Sequence, residues 1–102
     1  MSRIEQLQEF MKESPNDSFL IYALALEYVK INKFSEAIKL FEGLVENDIQ
    51  YLATYLQYGN LLAETDDIAK AEEIYNKGIE IARLQNNSKT RQEIEQALYL
   101  LD

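Results

Sequence analysis

The sequence predicts an all-α chain of antiparallel helix-turn-helix units, and three observations carry that expectation. Proline occurs once and glycine three times in 102 residues, so helix breakers are few. Leu, Ile, Ala, Glu, Gln and Lys fill long stretches between short polar breaks. Within each stretch apolar residues recur at helical spacing, and the pattern as a whole repeats at an offset of 34 residues.

A first helix is expected over residues 2–13, where Ser2 and Glu5 have capping-box spacing and Ile4, Leu7, Phe10 and Met11 form one apolar stripe. Ser14-Pro15-Asn16-Asp17 stops it. A second helix is expected over 18–31, broken by Asn32-Lys33, and a third over 35–46, followed by a turn at Asn47-Asp48. A fourth covers 51–64. Thr65-Asp66-Asp67 then supplies a turn and a capping aspartate for a fifth over 68–84. Asn86-Asn87-Ser88 interrupts the pattern once more, and the last helix is expected over 90–101, with Thr90 and Glu93 at capping-box spacing.

The repeat is visible residue by residue. A shift of 34 takes Ile21 to Tyr55, Leu24 to Tyr58, Ala25 to Gly59, Tyr28 to Leu62, Phe34 to Ile68, Ala37 to Ala71 and Phe41 to Tyr75. Small side chains fall on small ones and large on large. Leu7 and Phe10 map onto Phe41 and Leu44, so the first helix behaves as the second half of a repeat. Ala37 and Ala71, each flanked by bulky neighbours on its helical face, are the expected points of close helix approach, with Ala25 and Gly59 in the same role on the opposing helices.

In these residues the chain resembles the tetratricopeptide repeat family. Ile21, Leu24-Ala25, Tyr28, Ala37 and Phe41 carry the resemblance in one copy, and Tyr55, Tyr58-Gly59, Leu62, Ala71 and Tyr75 carry it in the next. Pro15 stands at the family's repeat-closing proline. No tryptophan opens either repeat, and Ile49 and Arg83 stand where further closing prolines would fall. The resemblance implies a short right-handed α-solenoid in one domain: a half-repeat helix at 2–13, repeats at 18–50 and 51–85, and a capping helix at 88–102. In that helix Ile94, Ala97, Leu98 and Leu101 are expected to be buried, while Arg91, Gln92, Glu93, Glu95 and Gln96 face water.

Composition narrows the function. Apolar residues make up 47% of the chain and charged residues 27%, as in a folded globular protein. Eighteen acidic against ten scattered basic residues give a net charge of −8, which repels phosphate backbones and anionic lipids, so neither nucleic acid nor membrane is an expected partner. Without cysteine or histidine there is no thiol chemistry and no imidazole base or ligand. Carboxylate pairs at Asp66-Asp67 and Glu72-Glu73, with Glu93 and Glu95 beyond, could serve acid–base or cation chemistry. They come with no nucleophile–base set, Gly-rich loop or calcium-loop spacing, and the Asp and first-turn Glu positions suit helix capping. The expectation is a non-enzyme without cofactor or metal. The N-terminal stretch MSRIEQLQEF has neither signal-peptide nor anchor character, so a cytoplasmic location is expected and the two Asn-x-Ser matches are turn composition.

The second helix carries the functional expectation. Beside its packing stripe it has another, Phe19, Tyr22, Leu26 and Val29, which leaves only Ala23, Glu27 and Lys30 as a polar strip. Ordinary core is one reading of that stripe. In the family the equivalent face lines a concave groove that receives peptides and partner helices, with Leu56, Gln57 and Asn60 at the corresponding places of the next repeat. A third reading is a homodimer joined through the same apolar face. The family's basic clamp for acidic C-termini is absent: Asn60 fits it, but Tyr22 and Leu26 stand where Lys and Asn would be needed. The expected partner is therefore apolar or mildly basic, a protein or peptide or a second copy.

Overall fold

The structure is a computed structural model and describes residues 1–101. Those residues form six α-helices: α1 (Arg3–Glu13), α2 (Ser18–Lys30), α3 (Phe34–Asn47), α4 (Ala53–Glu64), α5 (Ile68–Leu84) and α6 (Ser88–Tyr99), with no strand among them. The expected bounds of α5 are met, and the others shift by one or two residues.

Side-chain caps mark where four of the six helices begin. At α1 the Ser2 hydroxyl accepts from the Glu5 N–H at 3.1 Å, and the Glu5 carboxylate accepts from the Ser2 N–H at 3.0 Å, completing the capping box. Asp17 caps α2 by accepting from the Leu20 N–H, and Asp67 caps α5 by accepting from the Lys70 N–H. Two starts differ from expectation by two residues. Tyr51 donates its N–H to the Asp48 carbonyl at 3.0 Å, a turn that delays α4 to Ala53. Asn87 caps α6, its side chain accepting from the Thr90 N–H at 3.0 Å, so the Thr90–Glu93 box is replaced by an equally good cap three residues earlier.

The helix-to-helix corners repeat in the backbone itself. Asn32, Asp66 and Asn86 take left-handed φ values of 61°, 67° and 56°, a conformation that Asn and Asp tolerate better than other side chains. At the first corner Lys33 N–H reaches the Tyr28 carbonyl at 2.9 Å, and at the second Asp67 N–H reaches Leu62 at 2.8 Å. Asn87 N–H reaches Ala82 at 2.9 Å in the third. Each bond closes the last turn of a helix and satisfies a carbonyl that would otherwise be left without a donor. The first two corners are one repeat length apart, so the periodicity of side chains is also a periodicity of main chain.

The chain divides into two compact units, one of Met1–Tyr51 and one from Leu52 onward. In the first, α2 packs against both α1 and α3, burying Leu7, Leu24, Ala25, Ala37, Phe41 and Leu44. Ala25 and Ala37 retain no exposed surface, as expected for helices in close approach. Phe10 departs from expectation. It is 59% exposed while Leu7 on the same helix is 1% exposed, because the single neighbour α2 covers only a narrow stripe of α1.

In the second unit α4, α5 and α6 pack against one another around Tyr55, Tyr58, Leu62, Ala71, Ile74, Tyr75 and Ile94. Here two glycines mark the close approaches. A Cβ at Gly59 would lie 2.3 Å from Tyr75 Cε1, and one at Gly78 would lie 2.5 Å from Tyr55 Cβ and 2.9 Å from Ile94 Cδ1. Of the stripe expected on the last helix only Ile94 is fully buried; Ala97, Leu98 and Leu101 are half-buried because α6 lies at the end of the unit's helix order. Asp102, the last residue of the expected capping segment, lies outside the described residues. Among the described residues no helix is long and apolar enough to cross a membrane.

Candidate partner-binding face

At about 100° per residue, Phe19, Tyr22, Leu26 and Val29 fall within a sector of about 80° on α2. The face they form is neither sealed core nor open surface. Phe19 is 58% exposed, and Tyr22, Leu26 and Val29 are half-buried. Tyr22 is held by two rings: its own is tilted against Phe41, with centroids 6.4 Å apart, and against Tyr51 at 5.7 Å. Its inner edge belongs to the packing of α2 on α3, and the remainder of the face is apolar surface that the first unit leaves partly uncovered.

Tyr51 was not legible as a site residue. It lies in the turn after α3 and not in the fourth helix, where the sequence predicts it, and is brought to Tyr22 by the bond from its N–H to Asp48. The same turn is tied to the start of α2, where the Ser18 hydroxyl donates to Asp48 Oδ2 at 2.5 Å. Burial raises the Tyr22 phenol above its ordinary pKa, and the neighbouring Tyr51 adds to the effect. Tyr51 is raised first by burial and then by the carboxylates of Asp17 and Asp48.

On the second unit Leu56 and Gln57 are half-buried and Asn60 is exposed, all on one side of α4. Asn60 is positioned by its neighbour. The Tyr75 hydroxyl donates to Asn60 Oδ1 at 2.6 Å, which engages the amide oxygen and leaves the amide nitrogen as a donor. Gly59 makes this possible, since its missing Cβ is the space the Tyr75 ring occupies.

Burial also lifts Tyr75, which sets the sign of a pH effect. The folded state holds three phenols in their neutral form, so their contribution to stability is intact below about pH 10, the ordinary tyrosine value. It is lost as pH rises through the raised folded values. Melting temperatures measured from neutral to strongly alkaline pH should fall above about pH 10, and Tyr75→Phe should make that fall shallower; an identical profile in the variant would contradict the assignment.

Elsewhere the carboxylates serve the helices. Asp67 caps α5, Glu73 pairs with Lys70 at 3.0 Å and Glu95 with Arg91 at 3.0 Å. Among the described residues no cluster of three or more acidic side chains is arranged to hold a metal ion. A cleft of about 500 Å³ lies beside α3 in the first unit, lined by Met11, Ile21, Leu40, Gly43, Asn47 and Asp48 among others. Sequence reasoning gave no sign of it; Gly43 contributes, since a Cβ there would meet nothing within 4 Å.

The geometry has close counterparts. A family model described as tetratricopeptide repeat matches residues 52–83. The solution NMR structure of a tetratricopeptide repeat domain protein from Salinibacter ruber is 39% identical, with a TM-score of 0.82, covering 86% of this chain and 89% of that one. The chain belongs to the tetratricopeptide repeat family. A crystal structure of a tetratricopeptide repeat domain protein from Salinibacter ruber agrees, at 40% identity and a TM-score of 0.78 over 81% of this chain and 93% of that one. A solution structure of a protein from Bordetella parapertussis, 19% identical, shares the fold with a TM-score of 0.85 over 99% of this chain and 88% of that one. No curated protein matches the chain. Tetratricopeptide repeats generally mediate protein–protein interactions, and proteins of this fold are typically non-catalytic interaction modules.

Proposed function

We propose that this tetratricopeptide repeat protein is a cytoplasmic adaptor without catalytic activity or cofactor, which holds a peptide or a partner helix on the outward face of α2. Phe19, Tyr22, Leu26 and Val29 are the apolar anchors, and Leu56, Gln57 and Asn60 offer the corresponding surface of the second repeat. The proposal keeps the division into a half-repeat at 2–13, repeats at 18–50 and 51–85, and a cap at 88–102. The observation that carries it is the exposure of Phe19, 58%, on a helix that is otherwise apolar around most of its circumference. Apolar side chains at helical spacing on a preformed helix are what a second amphipathic helix packs against.

Phe19→Ser combined with Leu26→Ala should reduce partner recovery in affinity capture with mass spectrometry by about ten-fold or more, while circular dichroism and melting stay close to the parent. Tyr22 is left intact because its ring packs on Phe41 and Tyr51, so truncating it would mix a cavity with a lost contact. Equal recovery by parent and double variant would return the face to ordinary packing. A second reading, a homodimer joined through the apolar face, draws on the exposure of both Phe10 (59%) and Phe19 (58%) in the first unit. Sizing across a range of concentrations separates the two, since a monomer at all concentrations leaves only the adaptor.

A further inference from the structure

We infer that the segment received by the α2 face is a basic amphipathic helix, which sets a lysine or arginine against the Tyr22–Tyr51 ring pair at the Asp17 and Asp48 end of α2. This rests on the α2 face being the docking surface proposed above, and it adds the chemistry of the partner.

Charge complementarity carries it. The chain has a net charge of −8, and its first unit contributes four more acidic than basic residues. Two of that unit's cations are already engaged within their own helices, Lys12 with Glu9 at 2.8 Å and Lys30 with Glu27 at 3.0 Å. Asp17 and Asp48, by contrast, form no ion pair among the described residues. They are held at one end of the apolar face, Asp17 as the cap of α2 and Asp48 through the Ser18 hydroxyl and the turn to Tyr51. The helix ends do not neutralise them: α2 begins there and α3 ends there, and their terminal partial charges, roughly +0.5 and −0.5, cancel. A local charge of about −2 remains beside two half-buried aromatic rings.

Rings of this kind attract a cation to their faces, and carboxylates alongside supply its counter-charge, so a Lys or Arg stem can lie on the tyrosines with its head at the acids. The apolar remainder of the face, Phe19, Leu26 and Val29, takes the hydrophobic side of the same segment. An acidic segment would bring like charges to a face where they are unpaired. A second copy of the chain would carry its own net charge of −8 to the contact and is disfavoured for the same reason. The raised Tyr51 phenol, governed first by burial and then by Asp17 and Asp48, reports the same negative field at the ring.

The test uses the full chain and three synthetic helices of about 18 residues, long enough for five turns. All share one leucine face at i, i+3, i+4 and i+7 spacing, and differ only in carrying Lys, Gln or Glu on the flanks. Binding is read by fluorescence anisotropy, and amide chemical shifts locate it. At low salt the Lys peptide should bind about ten-fold more tightly than the Gln peptide, the Glu peptide more weakly than both, and the Lys advantage should shrink with added salt. Asp17→Asn with Asp48→Asn keeps an acceptor oxygen at each position for Leu20 and Ser18 but removes both charges. This variant should lose most of the Lys advantage and leave the Gln peptide unchanged, with circular dichroism confirming the fold. Lys and Gln peptides binding equally, with α2 amides shifting, would overturn the inference and leave the docking face standing. A Lys advantage untouched in the Asn variant would overturn it as well, assigning the preference to general attraction. Failure of all three peptides to move α2 amides would remove the docking face and this inference with it.

Discussion

Gly78→Ala should destabilise the protein by about 2 kcal/mol, although it places a better helix former in the middle of α5. Helix propensity alone favours the change by about 1 kcal/mol. Packing opposes it more strongly, because the new Cβ would stand 2.5 Å from Tyr55 Cβ and 2.9 Å from Ile94 Cδ1. The first of these atoms is rooted on the α4 backbone and cannot swing aside, so α4 and α5 must separate, and overpacking of that kind costs about 1–3 kcal/mol or more. For a chain of this size the melting temperature should drop by roughly 10 °C. Gly43→Ala is the internal control. It lies within α3 with nothing within 4 Å of its would-be Cβ, and should raise stability by up to about 1 kcal/mol. Gly78→Ala melting at or above the parent would mean that α4, α5 and α6 do not meet as described.

Ala37→Leu and Ala71→Leu form the second large expectation, about 2–3 kcal/mol of destabilisation each. Neither alanine has any exposed surface, and each lies where one helix of a pair meets the other: α3 on α2 and α5 on α4. Leucine adds three carbons where packing density already matches an organic solid, so relief comes only from strained rotamers or from moving a helix. Ala69→Leu, two residues away on the exposed side of α5, adds the same atoms to open space and should change stability by no more than about 0.5 kcal/mol. Urea melts of the three variants check this directly. Parent-like midpoints for both Ala37→Leu and Ala71→Leu would break the proposed register.

Much of the fold was legible because it is periodic. The alternation of bulky and tiny residues over Phe34, Ala37, Ile38 and Phe41 recurs over Ile68, Ala71 and Tyr75, and burial agrees with it at Ala37, Phe41, Ala71 and Tyr75. What escaped depends on neighbours instead of period. Phe10 belongs to a regular apolar stripe, yet one adjoining helix is too few to cover it. Thr90 and Glu93 have capping-box spacing, but a left-handed Asn86 lets Asn87 cap first. Of the candidate site, the face on α2 could be read from its helical spacing. Tyr51 could not, since only the bond from its backbone to Asp48 brings it against Tyr22.

The three left-handed corners bear on how such a chain can diverge. At the position after each left-handed residue stand Lys33, Asp67 and Asn87; the latter two cap the following helix with their side chains and Lys33 does not, yet the main-chain bond that closes the corner persists in all three. A bend secured by its own amides tolerates exchange of charge, size and polarity among the residues that decorate it. Paralogues can therefore repaint the rims of their hairpins by point substitution, acquiring new electrostatic signatures while the underlying scaffold is inherited intact.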